Sequence, residues 1–500
     1  MGYAQVRAVA LVGMVGQMVV VESDVAAGLP SLVVTGLPDA ALTQARDRVR
    51  AAVVNSGEEW PQRRLTVNLL PAHLPKHGSS FDLAVAASLL AAAGAIPADP
   101  LREAVLIGEL GLDGTVRPVR GVLPAVVAAM RNGLRYAVVP AENAAEAALV
   151  PGIVVRATDT LARLIGFLRC DGPLLDPPSP GPDADLGGLD LADVLGQDRG
   201  RRAVELAAAG GHNLALFGPP GAGKTMLAQR LPTVLPPLSD EAALEVTAVH
   251  SLAGALPEES PLIRQPPFQA PHHTTSVAAL VGGGSGVGRP GALSRAHHGV
   301  LFMDEAPEFS PAALEALRQP LEEGVVRISR SRAETVFPAR VQLVLASNPC
   351  PCARPGGDQY CECSPLARRR YLSRLSGPLL DRIDLQVKLS PARLEAALGD
   401  QAGESSEAVA SRVAGARAAA AERWGATNAG VPSRTLRDAR YRLPRVVSAP
   451  LAKDLDRGLI SARGHDRVLR VAWTMCDLDG RAHPELADVC EALDLRRGTR

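Results

Sequence analysis

The residues Gly218-Pro-Pro-Gly-Ala-Gly-Lys-Thr225 have the clearest capacity for chemistry in this chain of 500 residues. They fit G-x-x-x-x-G-K-[ST] in the setting that loop needs. An apolar strand, Asn213-Leu-Ala-Leu-Phe217, comes before it, and a helical run, Met226-Leu-Ala-Gln-Arg-Leu231, follows. Gly221 and Gly223 let backbone N–H groups turn toward phosphate oxygens, and the helix N-terminus favours their charge. Gly218, Pro219, Pro220 and Ala222 complete the cradle. Lys224 is placed to reach the β- and γ-phosphates of ATP, and Thr225 to offer its hydroxyl to Mg2+. The partner segment is Gly299-Val-Leu-Phe-Met-Asp-Glu305, four apolar residues ending in two carboxylates. A buried strand of this kind delivers its acids to the C-terminal edge of an open α/β sheet, where ligands bind. Asp304 would hold Mg2+ through water, and Glu305 would orient or deprotonate the attacking water, which points to hydrolysis.

Three further residues suit the same reaction. Val341-Gln-Leu-Val-Leu-Ala-Ser-Asn348 reads as a strand ending in a polar side chain, so Asn348 either positions the water or is a turn asparagine. Arg382, in Leu379-Leu-Asp-Arg-Ile-Asp-Leu385, either reaches a neighbouring subunit's nucleotide or pairs with Asp381 or Asp384. In Ser461-Ala-Arg-Gly-His-Asp-Arg467, Arg463 is the first choice for a second phosphate sensor and Arg467 its rival. Arginine suits these tasks because its fork stays charged and matches phosphate geometry.

Other constellations carry less. Cys350-Pro-Cys352 and Cys361-Glu-Cys363 could fold back to give four thiolates for a structural Zn2+, or be reduced thiols or a redox pair. His272-His273 and His297-His298 read as loop or pore contacts, because neighbouring side chains on a regular element point apart. Gly286-Val-Gly-Arg-Pro-Gly291 spells G-x-G-x-x-G, but no strand precedes it and Pro290 stands where the helix should begin.

These residues need an α/β scaffold, and the composition allows one. Hydrophobic residues are 47% and charged residues 21%, as in soluble globular chains, and this length calls for more than one core. Net charge is zero and aromatics are 3%, so nucleic acid would have to be met by local patches or an assembled pore, not a stacking platform. No apolar run has membrane-spanning length; Leu83 to Ile96 reads as a buried helix. The N-terminus lacks the pattern of a secretory signal, and single cysteines at 170, 476 and 490 suit a reducing cytoplasm. The Pro-rich stretch Asp171 to Pro182 marks a linker. The expected organisation is an N-terminal domain over 1–170, a linker over 171–188, an α/β core over 189–390 and a helical domain over 391–500. In the first, Leu65–Leu70 and Val105–Gly111 read as strands and Asp82–Ala93 as a helix.

Pro271-His-His-Thr-Thr275, Val281-Gly-Gly-Gly284, Arg289-Pro-Gly291, Ser347-Asn-Pro-Cys-Pro-Cys352 and Ser376-Gly-Pro-Leu-Leu-Asp-Arg-Ile-Asp-Leu385 accompany the phosphate loop. Together they resemble the YifB/ComM group of magnesium-chelatase-like AAA+ proteins, from about residue 1 to 495. The resemblance implies a P-loop AAA+ core with a helical lid, assembled as a homo-hexameric ring. It also implies DNA branch migration in recombination and transformation; a chelatase-type motor driving a partner protein and a protein unfoldase are the alternatives. Lys224 and Asp304 are 80 residues apart, leaving room for the insertion that such motors carry. Glu323 to Val336 reads as a β-hairpin with Arg330 and Arg332 near its tip, facing DNA in the pore or only solvent. Leu74-Pro-Lys-His-Gly-Ser-Ser-Phe-Asp82 and Gly108 to Gly121 are similar to the proteolytic domain of Lon, which has the ribosomal protein S5 domain 2 fold. Ser80 falls at the nucleophile, but Leu123 stands where the lysine base should be, so no protease activity is expected.

Overall fold

The computed structural model of the chain describes residues 2–36, 40–74, 76, 78–179, 181, 188–257, 261–284, 288–329, 334–354, 361–390 and 403–497. Its N-terminal part is built on β1 (Gly2–Val12) and β2 (Val15–Ala26), paired antiparallel from Gly2↔Val25 to Val12↔Val15. Further strands are β3 (Ser31–Thr35), β4 (Arg64–Leu70), β5 (Ala104–Leu106), β6 (Tyr136–Pro140) and β7 (Val154–Thr158), and the sheet order is β3-β4-β2-β1-β5-β6-β7. Alternation along β1 and β2 turns Val6, Ala8, Val19 and Val21 to one face, against α1 (Ala40–Asn55) and α2 (Asp82–Ala92). Val9 turns to the other face, against α3 (Val122–Arg131), and α4 (Leu161–Leu168) follows β7. All but one residue of α2 is buried, which accounts for an Ala/Leu run with no polar face.

The strand expected over Val105–Gly111 is interrupted. Gly108 donates its N–H to Ser80 O and accepts from Leu83, so its backbone groups serve the start of α2 and not the sheet. Glu109–Leu110 then pairs with Val116–Arg117 in a separate small hairpin. Leu123 is buried among apolar side chains on α3.

The second sheet is parallel throughout, in the order β9-β10-β13-β8-β14. Its strands are β8 (Leu214–Phe217), β9 (Phe268–Gln269), β10 (Val300–Met303), β13 (Gln342–Ser347) and β14 (Leu385–Lys388). The central strands β8, β10 and β13 are buried at every residue, as expected for a parallel sheet covered on both faces. The helices α5 (Asp198–Gly210) and α6 (Lys224–Val234) flank β8, and α7 (Asp240–Ala253) packs toward α3 of the N-terminal part. Between β10 and β13 lie α8 (Arg318–Glu323) and the hairpin β11 (Val325–Ser329)–β12 (Glu334–Pro338). A short helix, α9 (Pro365–Leu372), follows β13.

From residue 403 onward the described residues are helical, with no strand: α10 (Ser406–Trp424), α11 (Arg445–Asp456), α12 (Ala462–Leu478) and α13 (Leu486–Arg497) are the main elements. The helix α10 packs on α5 and α6, and α13 on β14. A buried ionic contact helps to fasten these helices to the sheet: Arg467, on α12, donates to Asp384 just before β14. The Asp384 carboxylate is 2% exposed. Truncating Arg467 would strand a buried charge, at a cost of about 3–5 kcal/mol. Arg467→Ala is therefore expected to destabilise the C-terminal helices by that amount, read as a lower urea midpoint through buried Trp473. Arg463, 73% exposed, should on truncation stay within about 0.5 kcal/mol of wild type.

Candidate nucleotide site

Parallel register brings the chemistry to one edge. Phe217 is level with Ser347, and Met303 with Leu345, so the segments after β8, β10 and β13 emerge side by side. Gly218 N–H continues the ladder to Ser347 O at 3.1 Å. A Cβ on Gly218 would lie 2.9 Å from Leu389 O, and Gly221 and Gly223 have φ of +76° and +82°; these three positions require bare backbone. The helix α6 begins directly at Lys224, leaving its first N–H groups open toward the loop.

Lys224 is buried, and its Nζ donates to Gly218 O (2.7 Å), Pro219 O (2.9 Å) and Asn348 Oδ1 (3.0 Å). Burial lowers its pKa, while the charges of Asp304 and Glu305 work against that shift. Thr225 Oγ1 donates to Asp304 Oδ2 at 2.9 Å, so the two expected Mg2+-side oxygens already share one locus. Lys224, Thr225, Asp304 and Asn348 are thus brought together, and the donor set of a hydroxyl, a carboxylate and backbone N–H groups fits a Mg2+–nucleotide.

Glu305 takes a left-handed conformation, φ +49° and ψ +43°. For a residue with a Cβ this costs on the order of 1–3 kcal/mol, and such strain gathers at functional sites. Its N–H donates to Asp304 Oδ1 at 2.9 Å and its carbonyl accepts from Glu308 N–H at 2.7 Å, which hold the turn. The turn presents the Glu305 carboxylate 3.6 Å from His273 Nδ1. Sequence reasoning placed His273 in a generic loop. The missed signal was the two-residue strand Phe268–Gln269, whose parallel pairing with β10 sends the following residues to the same edge as Asp304. Tyr371, on α9, lies behind the site; burial, then the charges of Glu308 and Glu305, push its hydroxyl up to about 12.

The candidate arginines lie elsewhere. Since β14 starts level with Leu214, the turn before it sits at the N-terminal edge of the sheet, opposite the phosphate loop. There Arg382 donates to Arg318 O (3.0 Å), Pro378 O (2.8 Å) and Glu322 Oε2 (2.5 Å). Its carboxylate partner is Glu322; Asp381 pairs with Arg496 and Asp384 with Arg467. Arg463 approaches the same Glu322 at 3.9 Å, so it too lies at that edge. Arg330 and Arg332 fall outside the described residues.

The four clustered cysteines converge, with every Sγ within 4.8 Å of the others. Cys350 and Cys352 are 3.1 Å apart and Cys352 and Cys361 3.7 Å, too long for disulfides; the second separation is close to the edge, about 3.8 Å, of a tetrahedron with metal–sulfur bonds of about 2.3 Å. Hydrogen bonding from Cys350, then the Arg354 backbone N–H, lowers the Cys352 thiol to about 6. Arg368 Nε donates to Cys361 at 3.2 Å, and a bidentate Arg354–Glu362 pair at 2.6 Å closes the loop.

The second histidine pair corrects its expected geometry. His298 has φ +56°, which breaks the regular alternation, so the His297 and His298 rings lie 4.1 Å apart with both Nε2 atoms on Glu245, at 3.1 and 3.4 Å. A metal still does not suit His297. Its Nδ1 accepts the Arg340 N–H at 3.0 Å, which leaves the hydrogen of the neutral ring on Nε2.

Comparison with known proteins covers nearly the whole chain. The family described as magnesium chelatase, subunit ChlI, matches residues 190–397; a further model of subunit ChlI matches 21–143, and one of its C-terminal part 403–496. An uncharacterised Mycobacterium tuberculosis protein is 53% identical over 99% of both chains. YifB of Escherichia coli is 42% identical over 94% of this chain and 92% of its own, and competence protein ComM of Haemophilus influenzae 40% over 99% and 98%. Over 29% of this chain, a Lon protease of Azorhizobium caulinodans is 28% identical, matching 18% of its own length. With full-length identity to both YifB and ComM, and a phosphate loop facing its acidic strand across one sheet edge, the chain belongs to the YifB/ComM family of magnesium-chelatase-like AAA+ ATPases.

Proposed function

We propose that the chain is an ATP-hydrolysing motor that works as a homo-hexameric ring in the cytoplasm and remodels DNA, by branch migration during recombination or transformation. One observation carries the ring: Lys224, Thr225, Asp304 and Glu305 occupy one edge of the parallel sheet, while Arg382 and Arg463 occupy the other. An arginine there serves phosphate only across an interface, from one copy to the next. ATP sits on Gly218–Thr225, with Mg2+ between Thr225 and Asp304; Glu305 prepares the water, Asn348 senses the γ-phosphate, and Arg382 and Arg463 arrive from the adjacent subunit. Residues 189–390 are the motor core, 391–500 its lid, and 1–170, joined through 171–188, a Lon-like, ribosomal S5 domain 2-like α+β domain that guides substrate or assembly. In such a ring the β11–β12 hairpin turns Arg330 and Arg332 to the pore, where contact with phosphates is independent of sequence.

ATPase rates with and without single-stranded, duplex and four-way-junction DNA test this reading, with Glu305→Gln as the blank. Several-fold stimulation, greatest with the junction, is the expected result. An unstimulated rate, with no DNA held in ATP by Glu305→Gln, would point to a chelatase-type partner or a protein substrate. Arg382→Ala should abolish hydrolysis while leaving nucleotide affinity nearly intact; lost binding would put Arg382 in its own subunit's site.

Cys350, Cys352, Cys361 and Cys363 would hold a structural Zn2+ that pins the loop after Asn348. Metal analysis of purified protein should find about one zinc per chain, falling to background in Cys352→Ser/Cys361→Ser. Zinc-free wild type with titratable thiols would leave the cluster as reduced cysteines.

A further inference from the structure

Arg382 and Arg463 come from distant parts of the chain, the turn before β14 and the first turn of α12, yet one carboxylate faces both. Glu322 Oε2 lies 2.5 Å from Arg382 Nη2, and Oε1 lies 3.9 Å from Arg463 Nη2. A carboxylate hydrogen-bonded to one guanidinium group and at ion-pair distance from a second stands where two such groups would take a phosphoryl group. The Arg382 side of the seat is preformed, while Arg463 is 73% exposed. Arg382 is only 16% exposed and is fixed by the carbonyls of Arg318 and Pro378. Glu322, 57% exposed, can swing into water with little desolvation to recover.

The position of Glu322 in the chain adds a second observation. It lies in the last turn of α8, which Gly324 ends with φ +70°, and β11 begins at the next residue. Its neighbour Glu323 accepts from Gln319 on α8 (2.7 Å) and from Arg327 on β11 (3.4 Å), tying the helix end to the hairpin strand. A shift of Glu322 therefore has a short mechanical path into the hairpin.

We propose that Glu322 is a resident occupant of the phosphate seat. It holds Arg382 and Arg463 together in the lone subunit, and the γ-phosphate of a neighbouring subunit's ATP displaces it, moving the end of α8 and the hairpin behind it. Glu322 is thus a positioning residue that makes the hairpin report the neighbour's nucleotide state. The inference rests on the reading that both arginines act across the subunit interface.

The test is steady-state hydrolysis by the full chain against ATP concentration, without DNA, for wild type, Glu322→Gln, Glu322→Ala and Glu322→Asp. The first two are also placed in an Arg382→Ala background. Without the competing charge, Glu322→Gln and Glu322→Ala should reach half-saturation at several-fold lower ATP, while Glu322→Asp stays near wild type. A purely structural role would raise that concentration or lower kcat instead. An unchanged or raised half-saturation in both variants overturns the proposal, and with Arg382→Ala inactive it does so without touching the interface reading. Full activity of Arg382→Ala overturns both together. Nucleotide binding should be nearly the same in Arg382→Ala with and without Glu322→Gln, since the carboxylate has then lost the one guanidinium it is hydrogen-bonded to and keeps only Arg463 at 3.9 Å; a several-fold gain there would also count against the proposal.

Discussion

A single buried carboxylate sets the geometry on which both halves of the proposed catalytic apparatus depend. Asp384 accepts the Asn213 N–H at 3.0 Å and the Arg467 guanidinium, with His212 Nδ1 at 3.7 Å. Burial alone would push its pKa up, but Arg467 and His212 outweigh that and hold it well below the usual carboxylate range. A charge so placed is tolerable only with its partners in position, so it discriminates strongly among arrangements of α12 on the sheet. Asn213 is itself tied down: its side chain accepts the Leu343 N–H and donates to Arg382 O. Arg496 on α13 adds donors to the carbonyls of Leu380 and Ile383. The turn carrying Arg382 is therefore held from the sheet on one side and from two C-terminal helices on the other. That is how Arg463, at the head of α12, comes to lie near Arg382.

The parallel sheet imposes the second constraint. Strands running in one direction send their carboxyl ends, and the loops that bind and hydrolyse, to one edge, and their amino ends to the other. A strand of four residues spans roughly 13 Å, beyond the reach of an arginine passing around it to its own phosphate loop. The two-edge arrangement makes a lone copy incomplete for the proposed reaction and a head-to-tail ring its natural completion.

The local parts of this site could be read from the sequence, and the through-space parts could not. The phosphate loop, Asp304–Glu305 and Asn348 each follow a short apolar strand, so pattern and spacing place them, and the structure joins them by Thr225–Asp304 and Lys224–Asn348 contacts. His273 was invisible as a neighbour of Glu305 because a two-residue strand carries almost no periodic signal. Glu322 was invisible because its partners lie 60 and 141 positions away. Arg463 and Arg467 differ in burial in a way their spacing does not show: one is exposed, and the other is committed to Asp384. The rule that adjacent histidines diverge failed at both pairs, His272-His273 and His297-His298, each with rings 4.1 Å apart, because it presumes a regular helix or strand and neither pair lies in one.

The N-terminal part can be placed in this scheme by its contacts. Its tight β1–β2 turn, at Gly13 with φ +61°, lies so close to β12 that a Cβ there would come 2.6 Å from Thr335 Cγ2. On the other side Gly121 N–H donates to Ser251 O on α7, and Ala248 of the same helix is buried in the N-terminal core. Glu146 at this seam has its pKa raised by burial, a shift opposed by hydrogen bonds from Ser251, Asn143 and the Leu123 N–H. The face of α3 on which a lysine base would be sought instead buries Leu123, whose backbone supports that carboxylate. The N-terminal part is thus packed against both α7 and the second hairpin strand. Any displacement of β12 of the kind proposed above would have to be accommodated at the Gly13 turn, where the close approach to Thr335 leaves no room for a side chain.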